Sequence, residues 1–326
     1  MRAVQATTFG DPGVLSVVEL PEPTPGPGEL TIDVTHSSVG LIDLFFRQGR
    51  LDGPGMPKPP FIPGLEVAGT VRELGAGVIG FRVGEPVVSM ANTGTGGYAT
   101  VFRADANLVI SVARYDVDPA LGVAMIPNAA MAHVALTAVG HLAAGDSVLV
   151  HGALGGLASA FPGVAKQLDA ARVVGTVRPG RLAAAKATQL PYDQIVDSTR
   201  LAEAVGDDRF DVIIDPVGGD LRTRGLALLR PGGRLIAAGN ASDEWEHTIN
   251  DSQLWLGSVT VAGFNAGAFL PSHPHLVRPA LQAARAAIAA GLGQIAVDTL
   301  PLDEAKTAHE RMERRDLDGR IVLTAG

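Results

Sequence analysis

The sequence predicts a two-domain α/β protein, and three observations carry that prediction. Up to about residue 118 the chain reads as short β segments between Gly and Pro turns. From 119 to 290, apolar strand-like runs alternate with Ala- and Leu-rich helical stretches, the pattern of βαβ units around a parallel sheet. Within that stretch, the run Val148-Leu149-Val150 stops at a cluster of small residues, as a strand does before a phosphate-cradling turn. At 326 residues the chain has room for two domains of ordinary size. A hydrophobic content of 46% with 18% charged residues suits a globular protein rather than a disordered one.

In the first domain, residues 1–118, the strand-like runs are LSVVELP, ELTIDVTHSSV, LEVAGTVREL, GEPVVSM and GYATVFRADANLVIS. PEPTPGPGE, residues 21 to 29, is too rich in proline for an interior strand or helix. At Asp118-Pro119 the pattern turns helical, with Asp118 as N-cap and Pro119 at the first helical position. The runs that follow are SVLVHG, ARVVGTV, YDQIVDS, FDVIIDPVGG, GRLIAAGN and VTVAGFN. The tail closes with a helix, LDEAKTAHERMERRD, capped by Asp303, and a strand, GRIVLTAG.

Several functions are excluded. The chain has no cysteine, so disulfides, thiolate catalysis and Cys-ligated zinc are out. A net charge of −8 argues against nucleic acid as a partner. The N-terminus lacks the apolar core of a signal peptide, and no apolar run is read as approaching the roughly 18 residues of a membrane span. A cytoplasmic protein without a membrane partner is expected.

The stretch HGALGGLASAFPG, residues 151 to 163, departs from the dinucleotide fingerprint G-x-G-x-x-G/A. Ala153 takes the first place, Gly155 the second and Ala158 the third. A pyrophosphate needs backbone N–H groups, small residues where the chain passes close, and a helix start behind it. Gly152, Gly155 and Gly156 supply that close approach. Pro162 is expected to interrupt the helix, because an interior proline costs about 3 kcal/mol and kinks it. The strand RVVGTV then runs into Arg178-Pro179-Gly180-Arg181, with no carboxylate before Asp193. Two guanidiniums there suit the 2′-phosphate of NADPH; the alternative is a solvated basic turn.

The segments GLIDLFFRQG, PFIPGLEVAGTVRELGAGVIGFRVGEPV, GGYATVFRADANLV, AAGDSVLVHGALGG, DVIIDPVGG, LRPGGRLIAAGN and AHERMERRDLDGRIVLT occur in this order. Together they resemble the quinone oxidoreductase, or zeta-crystallin-like, branch of the zinc-independent medium-chain dehydrogenase/reductase superfamily. The resemblance implies a GroES-like β domain, completed by residues 291–326, beside a doubly wound Rossmann domain. It implies NADPH in a cleft, and hydride transfer to a quinone or to a carbon–carbon double bond conjugated to a carbonyl. It also implies a small apolar or aromatic carbonyl substrate and a homodimer. By family position the cofactor residues are Gly152, Ala153, Gly155, Gly156, Leu157, Thr176, Arg178, Arg181, Val217, Gly239 and Phe264.

The departures bear on mechanism. Gly40 and Phe45 stand where many quinone reductases have Asn and some have Tyr. Asp43 and Arg47 remain, either near the chemistry or as a structural ion pair. Hydride transfer places negative charge on the conjugated oxygen, and a hydrogen-bond donor must meet it. The candidates are Asn240, Asn128 and backbone amides, each Asn having an alternative reading as a turn or cap residue. Phe45, Phe46 and Phe264 suit a flat apolar substrate or plain core. The rival function is the same fold without hydride chemistry: a cyclase, an isomerase or a binding protein.

Zinc enzymes of the superfamily have a His in a G-H-E segment that here reads Gly64-Leu65-Glu66. With no cysteine either, elemental analysis of untagged protein is expected to find no stoichiometric zinc, and chelators to leave activity unchanged. One zinc per chain overturns this.

Overall fold

The computed structural model describes residues 1–51, 53, 55–90, 95–315, 317 and 319–325. It divides into two compact units, Met1–Pro127 with His273–Arg285 and Ala296–Gly326, and Asn128–Ser272 with Ala286–Ile295. The sequence boundaries at 118 and 290 therefore move. The helix Pro119–Val134 runs through 127 without a break. Residues 273–285 join the first unit because Arg278 and Arg285 donate to the carbonyls of Ala106 (2.9 Å) and Ser111 (2.7 Å). Asp118 caps that helix as expected, its Oδ1 accepting from Leu121 N at 2.9 Å.

The helix and its continuation, Pro119–Val139, correct one expectation. By length and composition they are apolar enough to cross a membrane, yet 72% of their most apolar stretch is buried inside the protein. A core helix has this signature.

In the first unit, β1 (Arg2–Ala6) pairs antiparallel with β2 (Leu15–Glu19). Then come β3 (Glu29–Val39), β4 (Glu66–Leu74), β5 (Pro86–Met90), β6 (Val101–Asp105) and β7 (Val109–Ser111). GYATVFRADANLVIS is two strands rather than one, because Asp105 accepts from Asn107 N and turns the chain through a short 3-10 segment.

The second unit contains β8 (Ser147–Val150), β9 (Arg172–Val177), β10 (Gln194–Asp197), β11 (Phe210–Asp215), β12 (Leu229–Ala237) and β13 (Thr260–Gly263). All pair in parallel, in the order β10-β9-β8-β11-β12-β13. This is the doubly wound order, which reverses between β8 and β11 and leaves a crevice at their carboxyl ends. β11 is buried along its whole length, as a strand covered on both faces must be. Its Phe210 and Ile213 pack with Leu149 of β8, Val174 of β9 and Leu235 of β12.

The first unit's main sheet is finished by β14 (Val297–Pro301) and β15 (Arg320–Thr324), giving β14-β15-β3-β4-β5-β7 with β6 on β3. Arg320 enters buried, donating to Glu66 at 2.9 Å and also to Ser38. Asp303 does not cap the last helix. The chain from Leu302 makes a 3-10 turn before the helix Ala305–Glu313, and Asp303 pairs with Arg2 at 3.1 Å.

Pro162 does not kink its helix either. The α-helix begins at Phe161, so Pro162 lies in the first turn, where its missing N–H has no intrahelical partner to lose. Gly163 beside it is a packing glycine: a Cβ there would stand 2.2 Å from Leu292 O. Helix propensity alone favours Ala by about 1 kcal/mol, whereas forcing atoms into a packed contact costs about 1–3 kcal/mol. Gly163→Ala is accordingly expected to be net destabilising, read as a lower urea midpoint; a raised midpoint would show that the Leu292 segment yields.

Candidate cofactor site and the Asp43 network

The turn after β8 is held from β9. Ala153 N donates to Thr176 O at 2.8 Å, and Gly152 N lies 3.3 Å from Thr176 Oγ1. The tight-turn role has moved one place upstream of the fingerprint: Gly152 has φ +66°, and a Cβ there would come to 2.9 Å from Val217 Cγ2. The turn closes with Gly155 N on Gly152 O (2.7 Å) and Ser159 N on Gly155 O (2.8 Å). Among the described residues, the Gly156 and Leu157 amides bond to no backbone carbonyl. They sit just before the 3-10 segment Ala158–Ala160 and the helix Phe161–Gln167, at an end where N–H groups accumulate.

The loops after β11 and β12 form the other side of the crevice. Asp215, buried at the end of β11, accepts from Val217 N (2.9 Å) and Gly218 N (2.8 Å). Its other oxygen takes Arg222 Nε at 2.5 Å, and Arg222 Nη2 reaches Gly239 O at 2.9 Å. One carboxylate thus fixes both loops carrying Val217, Gly239 and Asn240. Asn240 presses so closely on Gly218 that a Cβ there would be 2.1 Å from its Oδ1. Among the described residues its Nδ2 is buried without a hydrogen-bond partner, a donor left over. His151, under the turn, is neutral: burial pushes its pKa down to about 4.

The structure therefore brings Gly152, Ala153, Gly155, Gly156, Leu157, Thr176, Val217, Gly239 and Asn240 to the carboxyl ends of β8, β9, β11 and β12. Arg178 is exposed and Arg181 partly so, one turn beyond the end of β9. Phe264 is a packed residue, its ring edge-on to Phe269 at 5.7 Å. Asn128 is buried inside the helix Pro119–Val134. These groups fit a dinucleotide: small residues where a Cβ would obstruct, and amides and guanidiniums as anion donors. Sequence reasoning missed Asp215 and Arg222, although an acid closing the apolar run FDVIID was a visible signal. It also missed Tyr192, which packs beneath the turn.

In the first unit, Asp43 does not pair with Arg47. Arg47, at the far end of the helix Leu41–Arg47, is fully buried and meets Glu313, which also accepts from Gln48 at 2.9 Å. Asp43 instead accepts from Gly40 N (2.8 Å) and Gly64 N (3.0 Å), with the Tyr98 hydroxyl 3.4 Å away. Tyr98 in turn lies 3.1 Å from His309 Nε2. Asp43 is thus occupied in holding two loop backbones. Burial pushes its pKa up to about 7, against the lowering by those two amides. His309 is pushed down to about 3 by burial and then by Arg47.

Residues 26–114 match the alcohol dehydrogenase GroES-like domain and residues 190–323 the zinc-binding dehydrogenase family. Together with the sheet order and the crevice, they define a medium-chain dehydrogenase/reductase. A mycobacterial quinone oxidoreductase structure is similar at 30% identity and TM-score 0.84, covering 99% of each chain. Escherichia coli quinone oxidoreductase complexed with NADPH has 25% identity and TM-score 0.85, covering 99% of this chain and 100% of that one. The human synaptic vesicle membrane protein VAT-1 homolog-like is 29% identical over 343 residues, 99% of this chain and 80% of that one. The chain belongs to the quinone oxidoreductase branch of the zinc-independent medium-chain dehydrogenases/reductases. The zinc in the family's description does not carry over, since Leu65 replaces a ligand and Arg320 holds the Glu66 carboxylate.

Native Asp43 keeps its proton to about pH 7, whereas an unfolded Asp releases it near pH 4, so its contribution to stability is lost as pH rises across that window. His151 and His309 act oppositely, being depressed: their contribution is lost as pH falls below about 6.5. Asp43→Asn removes only the first effect. Wild-type stability minus variant stability, from urea midpoints, should decline from about pH 4 to about pH 7 and then level off. Parallel profiles would mean Asp43 titrates normally.

Proposed function

We propose that this chain is an NADPH-dependent reductase that delivers hydride to a quinone or to a carbon–carbon double bond conjugated to a carbonyl. The observation that carries the reading is the crevice where the sheet order reverses, with the small-residue turn on one side and the Asp215–Arg222 clamp on the other. NADPH is the cofactor of the branch, and bound there it supplies the hydride. The Gly156 and Leu157 amides would receive its pyrophosphate, and Arg178 and Arg181 its 2′-phosphate.

The polypeptide contributes position and polarity. Asn240 Nδ2 is the donor we assign to the oxygen that gains charge, a role most effective in a site from which water is excluded. Asp43, engaged by Gly40 and Gly64, supports the loop rather than exchanging protons with substrate. A small apolar or aromatic carbonyl compound is the substrate class. Two of the departures that favour the non-redox rival lose their force, because Gly152 supplies the turn conformation that Ala153 lacks and Pro162 leaves the helix intact; Gly40 and Phe45 still stand on its side. We propose also that two copies pair along β13. Support comes from its position at the sheet edge and from Trp255 and Leu256 nearby, 80% and 75% exposed.

Fluorescence titration with NADPH and NADH tests the cofactor assignment. Replacing Arg178 and Arg181 with Ala should weaken NADPH roughly tenfold to a hundredfold, the size of a lost charge-assisted contact, and spare NADH. Equal losses for both would assign the arginines to the fold.

A further inference from the structure

We propose that Tyr192 is a positioning residue of the dinucleotide turn, its one hydroxyl proton shared between the carbonyls at the turn's two ends, while Gly175 leaves the space in which an alanine stands where the fingerprint has its first glycine. The inference rests on reading that turn as the pyrophosphate cradle. The Tyr192 hydroxyl lies 3.1 Å from Ala153 O and 3.3 Å from Ala158 O, the first and third fingerprint positions. Between those carbonyls lie the Gly156 and Leu157 amides, so the tyrosine fixes the frame that presents them. Burial holds the phenol well above its ordinary pKa, so it remains a donor throughout the accessible pH range.

The ring does a second job with Gly175 of β9. A Cβ at Gly175 would fall 2.6 Å from Ala153 Cβ and 3.0 Å from Tyr192 Cε1. The volume a side chain would claim on β9 is already shared by the Ala153 methyl and the tyrosine ring. Ala153 and Gly175 are therefore a compensating pair: the turn carries a methyl where the strand carries none. Tyr192 is mounted firmly enough to act on the turn. Tyr192 N donates to Leu190 O at 2.7 Å and Asp193 N to Val173 O at 2.9 Å. The Asp193 carboxylate accepts from Val173 N and from Lys166, each at 2.6 Å. The segment is thus tied to β9 and to the helix behind the phosphate site.

Tyr192→Phe removes only the hydroxyl. It should weaken NADPH and NADH alike, by roughly three- to tenfold, since the turn serves the part the two share. KM for the cofactor should rise by that factor while kcat at saturating cofactor stays within twofold. Gly175→Ala should weaken both cofactors as well, and Ala153→Gly placed in the same chain should restore them. Gly155→Val, measured in parallel, should abolish binding of both. Wild-type affinity in Tyr192→Phe while Gly155→Val fails to bind would overturn the role of Tyr192 and leave the cradle standing. Normal binding by Gly155→Val would overturn the cradle itself. No rescue of Gly175→Ala by Ala153→Gly would overturn the compensating pair.

Discussion

The second unit depends on one constraint: the chain leaving β8 must pass between β9 and the loop after β11 with almost no space for side chains. Gly152 satisfies it through a left-handed conformation directly against Val217. Ala153 satisfies it because Gly175 has no side chain to oppose it. The remaining contacts serve the same passage, with Thr176 gripping the turn from β9 and Asp215 drawing the β11 loop to a fixed position. Close packing of this kind has no slack, so the consequence of adding a methyl depends on which neighbour can retreat.

The first unit solves a different problem, that of joining distant stretches of chain. It does so with arginines taken out of water. Buried Arg47 meets Glu313, whose carboxylate is still 33% exposed, and Arg320 meets Glu66 with both partners buried, each pair bringing a late part of the sequence to an early one. A pair buried on both sides adds little net stability against apolar replacements, but removing one partner of it strands the other at a cost of about 3–5 kcal/mol. Their physical value lies in specifying which segments meet. Asp43 does the same for two loops by accepting from their amides, and there the desolvation is met by keeping a proton near neutrality.

Where local pattern governs, the fold was legible in the residues. ELTIDVTHSSV is β3 from its first residue to its last, FDVIID is β11, and Asp118 caps the helix that Pro119 begins. Illegible features were those decided by partners remote in sequence. Glu313 lies 266 residues from Arg47, and nothing near Asp43 signals that the arginine will turn away from it. β14 pairs in parallel with β15, which alone makes VDTLP a strand. The harmless place of Pro162 is illegible in the sequence because helix starts are uncertain by a residue or two, and a small shift separates a tolerated proline from a disruptive one. The alteration of the glycine turn is plain in the motif, but its compensation lies elsewhere, with Gly175 on β9 and Tyr192 in the loop before β10, and is invisible there.

The antiparallel union of β15 with β3 has a bearing on how the molecule is made. During synthesis β3 precedes the Rossmann-type sheet, whereas the strand that pairs with its far half, His36 to Val39, follows that sheet. The Rossmann-type sheet lies wholly between them and is complete first. For most of translation, then, an unfinished sheet edge must coexist with a finished neighbour, and domains in general fold as units as they appear. Such an edge is open to pairing with other chains until Arg320 reaches Glu66. The vulnerable species in the life of this protein is a nascent chain that has completed the Rossmann-type sheet but not yet β15, so stops between the two should yield aggregation-prone products.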